Sequence, residues 1–246
     1  MRTPRIYHPG GLQPGTKVTL DETAARHVTR VLRLQPGAPV ILFNGEGGEY
    51  HGVIAAMGKR ATEVEVKEFV RRDVESALKV ILAPCLARGD RMDYLIQKAV
   101  ELGVSEITPL TSERCEVRLN DARRHSRLRH WQGICVNACE QSGRNLLPQI
   151  NHIQALPEWL DQFSNNAAGW LRLVLDGDAE NSLSQTPAPR HGVVLLTGPE
   201  GGLTKTELAT AQTRGFQNVH LGPRTLRAET APVAALSAVQ TLWGDF

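Results

Sequence analysis

Two glycine-rich segments near the end of the chain contain residue types suited to acid–base and electrostatic chemistry. Segment 197–202 reads TGPEGG and contains Glu200, and segment 221–230 reads LGPRTLRAET and contains Arg227 and Glu229. A carboxylate can accept a proton, and a guanidinium can stabilise developing negative charge. The same carboxylates can instead cap a helix N-terminus and favour its dipole. We therefore consider the three side chains as catalytic candidates, with a structural or positioning role favoured for the carboxylates.

An apolar strand pattern precedes each glycine-rich segment, and a helix signal follows it. Residues 193–196 are an unbroken apolar run, typical of a strand buried in a parallel sheet, and Thr204 and Glu207 have the spacing of a capping box. Residues 219–221 predict a second strand, and Thr230 is a candidate N-cap. Ligands of open parallel sheets bind at the carboxyl ends of strands. The two loops are therefore predicted to share one ligand pocket.

Neither loop has the sequence of a phosphate-binding motif. A P-loop needs Gly and Lys where Leu203 and Thr204 stand, and no G-x-G-x-x-G fingerprint opens a strand-to-helix unit. Nucleotide triphosphate chemistry is thus disfavoured. For one loop taken singly, the glycines can equally well serve only to make a tight turn. The presence of two such loops favours the pocket.

Composition limits the class of protein. The 246 residues exceed a typical single domain, and a hydrophobic content of 41% suits one or two globular cores. No apolar run approaches the ~20 residues of a membrane span, and the polar N-terminus lacks the apolar core of a signal peptide. We expect two domains and a cytoplasmic protein.

The cysteines and histidines do not form a metal-binding pattern. The four cysteines lack C-x-x-C spacing, and no histidine pairs with them as in zinc sites. Cys135 and Cys139 would share one face of a helix, which fits a metal or redox pair, but buried packing is the favoured interpretation. We predict no metal.

The net charge of +2 is too small to indicate nucleic acid, so the distribution of charge is more informative. Residues 118–130 contain five arginines and two histidines against the single acid Asp121. A basic cluster on one helix suits nucleic acid. A charge run by itself is more often an ordinary solvated face.

Residues 1–72 predict a small β-barrel domain, followed by a charged linker at 73–77. Strand patterns at 17–20, 40–43, 50–55 and 62–66 surround one helix that begins after Asp21. Cations bind phosphates, and aromatic or guanidinium planes stack on unpaired bases. The residues that make this domain suit RNA are Arg2, Arg5, Tyr7, His8, Arg26, Arg30 and Arg33.

From residue 78 to 246 the pattern changes to alternating strands and helices, which predicts an α/β sheet. Strands are expected at 80–83, 107–110 and 171–175, and helices at 90–102, through 128–138 and near Trp159. Residues 176–190 are expected to be an irregular loop.

Several segments together resemble the RsmE family of SPOUT-class RNA methyltransferases. These are GPEGG at 198–202, LGPRTLRAET at 221–230, and segments 2–9, 96–103 and 138–144, so the resemblance covers essentially the whole chain. The family methylates N3 of a uridine in 16S ribosomal RNA (m3U1498) and prefers assembled small subunits. The resemblance implies a PUA-like RNA-binding barrel, then a SPOUT parallel-sheet domain with a C-terminal deep trefoil knot. It also implies S-adenosylmethionine as cofactor and a homodimer.

The resemblance supplies the cofactor and the reaction, and the chemistry of the two loops then indicates roles for particular residues. S-adenosylmethionine is expected to contact Leu175, Thr197, Gly198, Pro199, Glu200, Gly202, Leu221, Gly222, Leu226 and Arg227. Arg227 is expected to stabilise charge on the uracil carbonyls, and Glu229 or Glu200 to accept the N3 proton. Predicted RNA contacts are Arg2, Arg5, Arg30, Arg33 and Arg144, whereas Glu140 and Gln141 match a family segment without an assigned role.

Two other functions remain as alternatives. The first is a noncatalytic RNA-binding or ribosome-assembly protein, in which residues 1–72 and the basic segment 118–130 bind RNA and the glycine loops are architectural. The second is a nucleotide-dependent α/β enzyme, which the missing phosphate motifs disfavour.

Overall fold

The computed structural model describes residues 3–58, 61–163 and 169–246, which fall into two compact units. Unit 1 combines Met1–Glu75 with Val136–Leu147, and unit 2 combines Ser76–Cys135 with Pro148–Phe246. The first division lies near the predicted linker at 73–77. The predicted domain boundaries stay a prediction. They divide the chain into consecutive segments, whereas unit 1 also includes residues 136–147 from later in the chain.

Unit 1 contains a five-stranded sheet of order β1-β3-β4-β5-β2, in which β1 is parallel to β3 and the other pairs are antiparallel. The strands are β1 (Arg5–Tyr7), β2 (Lys17–Thr19), β3 (Pro39–Phe43), β4 (Glu49–Met57) and β5 (Thr62–Val70). Helix α1 (Glu22–Arg26) begins at Asp21, whose carboxylate accepts the Ala24 N–H, and a π-helix (His27–Val31) follows. The predicted cap at Asp21 is confirmed. Strand β1 was not predicted.

Unit 2 contains a six-stranded parallel sheet of order β13-β11-β12-β6-β7-β9 and a two-stranded parallel pair of β8 and β10. The strands are β6 (Lys79–Pro84), β7 (Glu106–Ile107), β8 (Leu110–Thr111), β9 (Gln149–Ile150), β10 (Gln154–Ala155), β11 (Trp170–Leu175), β12 (Gly192–Thr197) and β13 (Gln217–Val219). Every residue of β12 is buried, as its unbroken apolar run predicted. The predicted parallel α/β sheet is confirmed.

The structure describes further α-helices after β6, the second of which continues into unit 1 from residue 136. They are α2 (Arg91–Glu101), α3 (Asp121–Ser142), α4 (Leu156–Asp161), α5 (Lys205–Thr213) and α6 (Thr230–Trp243). Helix α5 begins with the predicted capping box: the Thr204 hydroxyl accepts the Glu207 N–H at 3.2 Å, and the Glu207 carboxylate accepts the Thr204 N–H at 2.8 Å. This bond pair fixes where the chain turns from the first glycine-rich loop into a helix.

Three local predictions were wrong. The strand expected at 107–110 is divided into β7 and β8, because Pro109 has no N–H to continue a ladder. The strand expected at 219–221 ends at Val219, and the N-cap of α6 is Glu229 rather than Thr230. The irregular loop predicted at 176–190 is present and includes one short 3₁₀ turn (Leu183–Gln185), which Ser182 caps.

Candidate functional site

A cavity of about 420 Å³ lies where three neighbouring strands of unit 2 end. Strands β13, β11 and β12 are adjacent in the sheet, and the chain leaving each of them contributes to the wall. The two glycine-rich loops therefore meet across the end of β11, which lies between their strands. This is the arrangement in which an open parallel sheet holds a ligand.

Nine of the ten predicted cofactor contacts line this cavity: Leu175, Thr197, Gly198, Pro199, Glu200, Gly202, Leu221, Gly222 and Leu226. Arg227 is not among the lining residues. It is exposed, and its backbone carbonyl accepts the N–H groups of Thr230 at 2.9 Å and Ala231 at 3.0 Å. Its guanidinium is thus available to a ligand outside the cavity wall.

Two glycines have a structural reason to be glycine. Gly222 has φ +129°, a conformation that side chains rarely adopt. At Gly198, a Cβ would lie 3.0 Å from the backbone nitrogen of Leu203 and 3.2 Å from the carbonyl carbon of Gly202. The backbone of the first loop thus folds tightly on itself beside the cavity, and even one added methyl group would force it to shift.

Sequence reasoning missed several polar residues of the cavity, chiefly Asp176, Asp178 and His220. Asp176 accepts a hydrogen bond from the Asn218 side chain at 2.9 Å, and His220 Nδ1 accepts the Gly222 N–H at 3.0 Å. Asp176 and Asp178 follow β11 directly. The prediction extended the strand-end rule to Leu175, the last residue of this third strand, but not to the polar residues that follow it.

Glu200 is held by groups at the start of α2. Its carboxylate accepts the backbone N–H of Arg88 at 3.0 Å and pairs with the Arg91 guanidinium at 2.6 Å. Burial raises the pKa of Glu200, but these bonds and the Arg91 charge outweigh it, so the pKa lies below its ordinary value. Glu200 is therefore an ionised, anchored carboxylate, which agrees with a structural or positioning role.

Glu229 has a different environment, although it also faces Arg91. Its Oε2 lies 3.7 Å from Arg91 Nε, and the side chain is 17% exposed. That buried oxygen has no hydrogen-bond partner, and the side chain makes no capping bond to α6. A buried carboxylate oxygen without a donor is an acceptor that a ligand N–H could satisfy.

The predicted RNA-binding arginines differ in accessibility. Arg30 and Arg33 are exposed, and Arg33 is the one non-glycine residue with positive φ in the described part of the chain, at φ 51°. Arg5 and Arg144 are buried in unit 1, so phosphate contact would require their existing bonds to break. Arg5 pairs with Glu49 at 2.5 Å, and Arg144 pairs with Glu75 at 2.6 Å. Arg2 lies outside the described residues.

All four cysteines are buried. Burial raises the pKa of the Cys85 and Cys139 thiols to about 12, so neither is a thiolate at neutral pH. Within the described ranges, no cluster of three or more His, Cys, Asp or Glu could hold a metal ion. No helix there is long and apolar enough to cross a membrane.

Comparison with known proteins connects this site to a family. Residues 74–240 match the model of an RNA methyltransferase domain, and residues 20–67 match that of an RNA methyltransferase PUA domain. The ribosomal RNA small subunit methyltransferase E of Buchnera aphidicola is 31% identical over 99% of this chain and 98% of its own length. The chain belongs to this RNA methyltransferase family.

Two of the similar solved structures contain a bound cofactor. Ribosomal RNA small subunit methyltransferase E from Neisseria gonorrhoeae, bound to S-adenosyl methionine, has 40% identity and a TM-score of 0.92. A putative methyltransferase from Legionella pneumophila, in complex with the same cofactor, has 36% identity and a TM-score of 0.95. Each comparison covers 100% of both chains. The family resemblance and the PUA domain predicted from the sequence are thus confirmed.

Proposed function

We propose that this protein transfers a methyl group from S-adenosylmethionine to N3 of a uridine in the 16S ribosomal RNA of the small ribosomal subunit, the modification m3U1498. The observation that carries the proposal is the cavity at the ends of β11, β12 and β13 in a chain of the RNA methyltransferase family. The similar proteins named as small subunit methyltransferases support the substrate class.

The cavity fits S-adenosylmethionine in size and in chemistry. A volume of about 420 Å³ suits a ligand of this size. Close turns at Gly198 and Gly222 let backbone groups approach an adenine between the apolar side chains of Leu175 and Leu226. The carboxylates of Asp176 and Asp178 can accept hydrogen bonds from ribose hydroxyls. Bound there, the cofactor supplies a methyl group on a positively charged sulfur.

Methyl transfer to uridine N3 is mainly a problem of positioning, with one proton to remove. The bond from N3 to the methyl carbon forms while the carbon–sulfur bond breaks, and the electron pair of that bond stays on sulfur. Glu229, whose Oε2 has no hydrogen-bond partner, takes the N3 proton. Arg227 stabilises negative charge that develops on the uracil carbonyls. Glu200, anchored by Arg91, holds the first loop in place.

The remaining expectations from the RsmE resemblance belong to the same proposal. They are a SPOUT fold with a deep trefoil knot in the C-terminal loops, a homodimer and a cytoplasmic location with the ribosome. RNA contacts in unit 1 are assigned to the exposed Arg30 and Arg33. Assembled small subunits are the expected substrate.

The direct test is transfer of labelled methyl from S-adenosylmethionine to small subunits that lack base methylation, followed by nucleoside mass spectrometry. We expect 3-methyluridine with the wild-type protein and none with Gly198→Val, whose side chain would press on Leu203. Gly133→Ala is the matched control, because a Cβ at Gly133 meets nothing within 4 Å. A folded wild-type protein that transfers no methyl group would instead support a noncatalytic RNA-binding protein.

A further inference from the structure

A second cavity of unit 2, about 600 Å³ in volume, lies beside the cofactor cavity. It is lined at the starts of α2 and α6 by Arg88, Gly89, Asp90, Arg91, Tyr94, Glu229 and Thr230. None of these residues belongs to the wall of the first cavity. The second cavity is therefore separate space, available to a second ligand.

The two cavities are separated by a thin partition. Glu200 lines the cofactor cavity, while its carboxylate binds Arg91 of the second cavity at 2.6 Å. On the other side, Glu229 faces the second cavity, whereas Ala228 and Ala231 line the first. Ligands in the two cavities would therefore be in close proximity, as a methyl donor and its acceptor must be.

The wall of the second cavity contains each kind of group that recognises a uracil ring. Tyr94 is 47% exposed, and its aromatic ring can stack on the face of a base. Arg91 supplies N–H donors suited to a carbonyl oxygen, and its side chain is 36% exposed. Oε2 of Glu229 lies 3.7 Å from Arg91 Nε but has no hydrogen-bond partner, so it is an acceptor suited to the N3–H group between the two uracil carbonyls.

We propose that this cavity receives the unstacked target pyrimidine, with Tyr94 as its stacking surface and Arg91 as the donor to one carbonyl that flanks N3. This inference rests on the proposed function and adds a place for the substrate base. An enzyme that acts on a ring atom must take the base out of its stack into a pocket. Glu200 and Glu229 hold Arg91 at the partition until the base arrives.

Tyr94 is the residue that tests the proposal, because it lies outside the cofactor cavity and is already exposed. In the methylation assay with small subunits, Tyr94→Ala should lower kcat/KM about tenfold or more, the scale on which stacking acts. The Kd of S-adenosylmethionine should stay within about twofold, since that cavity is untouched. Tyr94→Phe should restore most of the activity because it keeps the ring. Gln97→Ala, an exposed change one turn further along α2, is the matched control.

Photocrosslinking separates failure of this inference from failure of the proposed reaction. Small subunits that carry 4-thiouridine are irradiated with the protein, and the crosslinked peptide is identified by mass spectrometry. A crosslink in the α2 peptide that contains Tyr94 would support the base pocket. If the methylation assay with unsubstituted small subunits gave no 3-methyluridine at the same time, the proposed reaction would be refuted while the pocket was retained. If Tyr94→Ala forms 3-methyluridine at the wild-type kcat/KM and that peptide gives no crosslink, the proposal that this cavity receives the target base is wrong.

Discussion

At the scale of single residues, Glu200 and Glu229 show how environment separates two identical side chains. Both lie in glycine-rich loops and both face Arg91. Glu200 accepts two hydrogen bonds and has a lowered pKa, whereas Oε2 of Glu229 has no donor. A carboxylate that is already satisfied is a poor proton acceptor, so Glu229 is the residue that we propose as the proton acceptor.

The first prediction concerns Glu229→Gln. The amide keeps the size of the side chain but cannot take the N3 proton, so kcat should fall about a hundredfold. The Kd of S-adenosylmethionine should be nearly unchanged, because Glu229 does not line the cofactor cavity. Methylation rates measured from pH 6 to pH 9 check this, and a wild-type rate across that range would show that Glu229 is not the base.

The second prediction concerns Arg227→Ala. Because its guanidinium is exposed and outside the cavity wall, cofactor affinity should be near normal. Loss of charge stabilisation in the transition state should lower kcat and kcat/KM together, by about a hundredfold. Arg224→Ala, an exposed change in the same loop, serves for comparison. An unchanged kcat in Arg227→Ala would remove this residue from the mechanism.

At the scale of elements, unit 1 depends on a buried ion pair that joins its strands. Arg5 of β1 pairs with Glu49 of β4, and it also donates to Asn145 and to the Arg144 carbonyl. Burial raises the pKa of Glu49, but hydrogen bonds from Arg5 and His51 and the nearby arginine charges outweigh it, so the pKa is lowered. The ionised form is thus favoured by folding, and it contributes stability above the ordinary pKa of 4.5.

The third prediction follows from the sign of that shift. Glu49→Gln should be less stable than wild type at pH 7 by about 3 kcal/mol, since it leaves Arg5 buried without its counter-ion. The difference should shrink as the pH falls below about 4.5 through the folded-state pKa, because wild-type Glu49 then becomes protonated as well. Thermal unfolding followed from pH 3 to pH 7 measures this. Glu22→Gln, an exposed change in α1, is the control, and a gap for Glu49→Gln that does not change with pH would contradict the assignment.

At the scale of the whole molecule, each unit has its own proposed task. Unit 2 contains both cavities, whereas the exposed Arg30 and Arg33 lie in unit 1. Arg33 has a backbone conformation that costs a non-glycine residue about 1 kcal/mol or more, and such strain persists where structure or function requires it. RNA affinity and cofactor affinity should therefore respond to different substitutions.

The fourth prediction tests this division of labour. The double variant Arg30→Gln, Arg33→Gln should bind small subunits about tenfold more weakly and with a shallower dependence on salt, because fewer phosphates are neutralised. The Kd of S-adenosylmethionine should not change. The pair Arg190→Gln, Lys205→Gln removes the same charge from exposed positions of unit 2 and is the control. A fall in both affinities for the Arg30, Arg33 variant would contradict the division.

Local sequence signals determined where several helices, strands and turns of this protein lie, because such signals act between neighbours in the chain. Asp21 and the pair of Thr204 and Glu207 begin their helices as predicted, and the apolar run of β12 is buried. The glycines of both loops were recognisable because a tight turn needs them at particular positions. The resemblance to the RsmE family supplied the ligand, and these signals with the strand-end rule located the loops, so that nearly all the residues predicted to contact the cofactor line the cavity.

Only the tertiary structure decided which of these elements meet. Periodicity does not encode strand order, so the position of β11 between β13 and β12, which brings Asp176 to the cavity, could not be read from the sequence. The same holds for Arg91, whose partner Glu200 is 109 residues away, and for the burial of Arg5 among distant acceptors. Side-chain type determines what a residue can bind, but the packing of distant segments determines whether its partner is solvent, a protein group or a ligand.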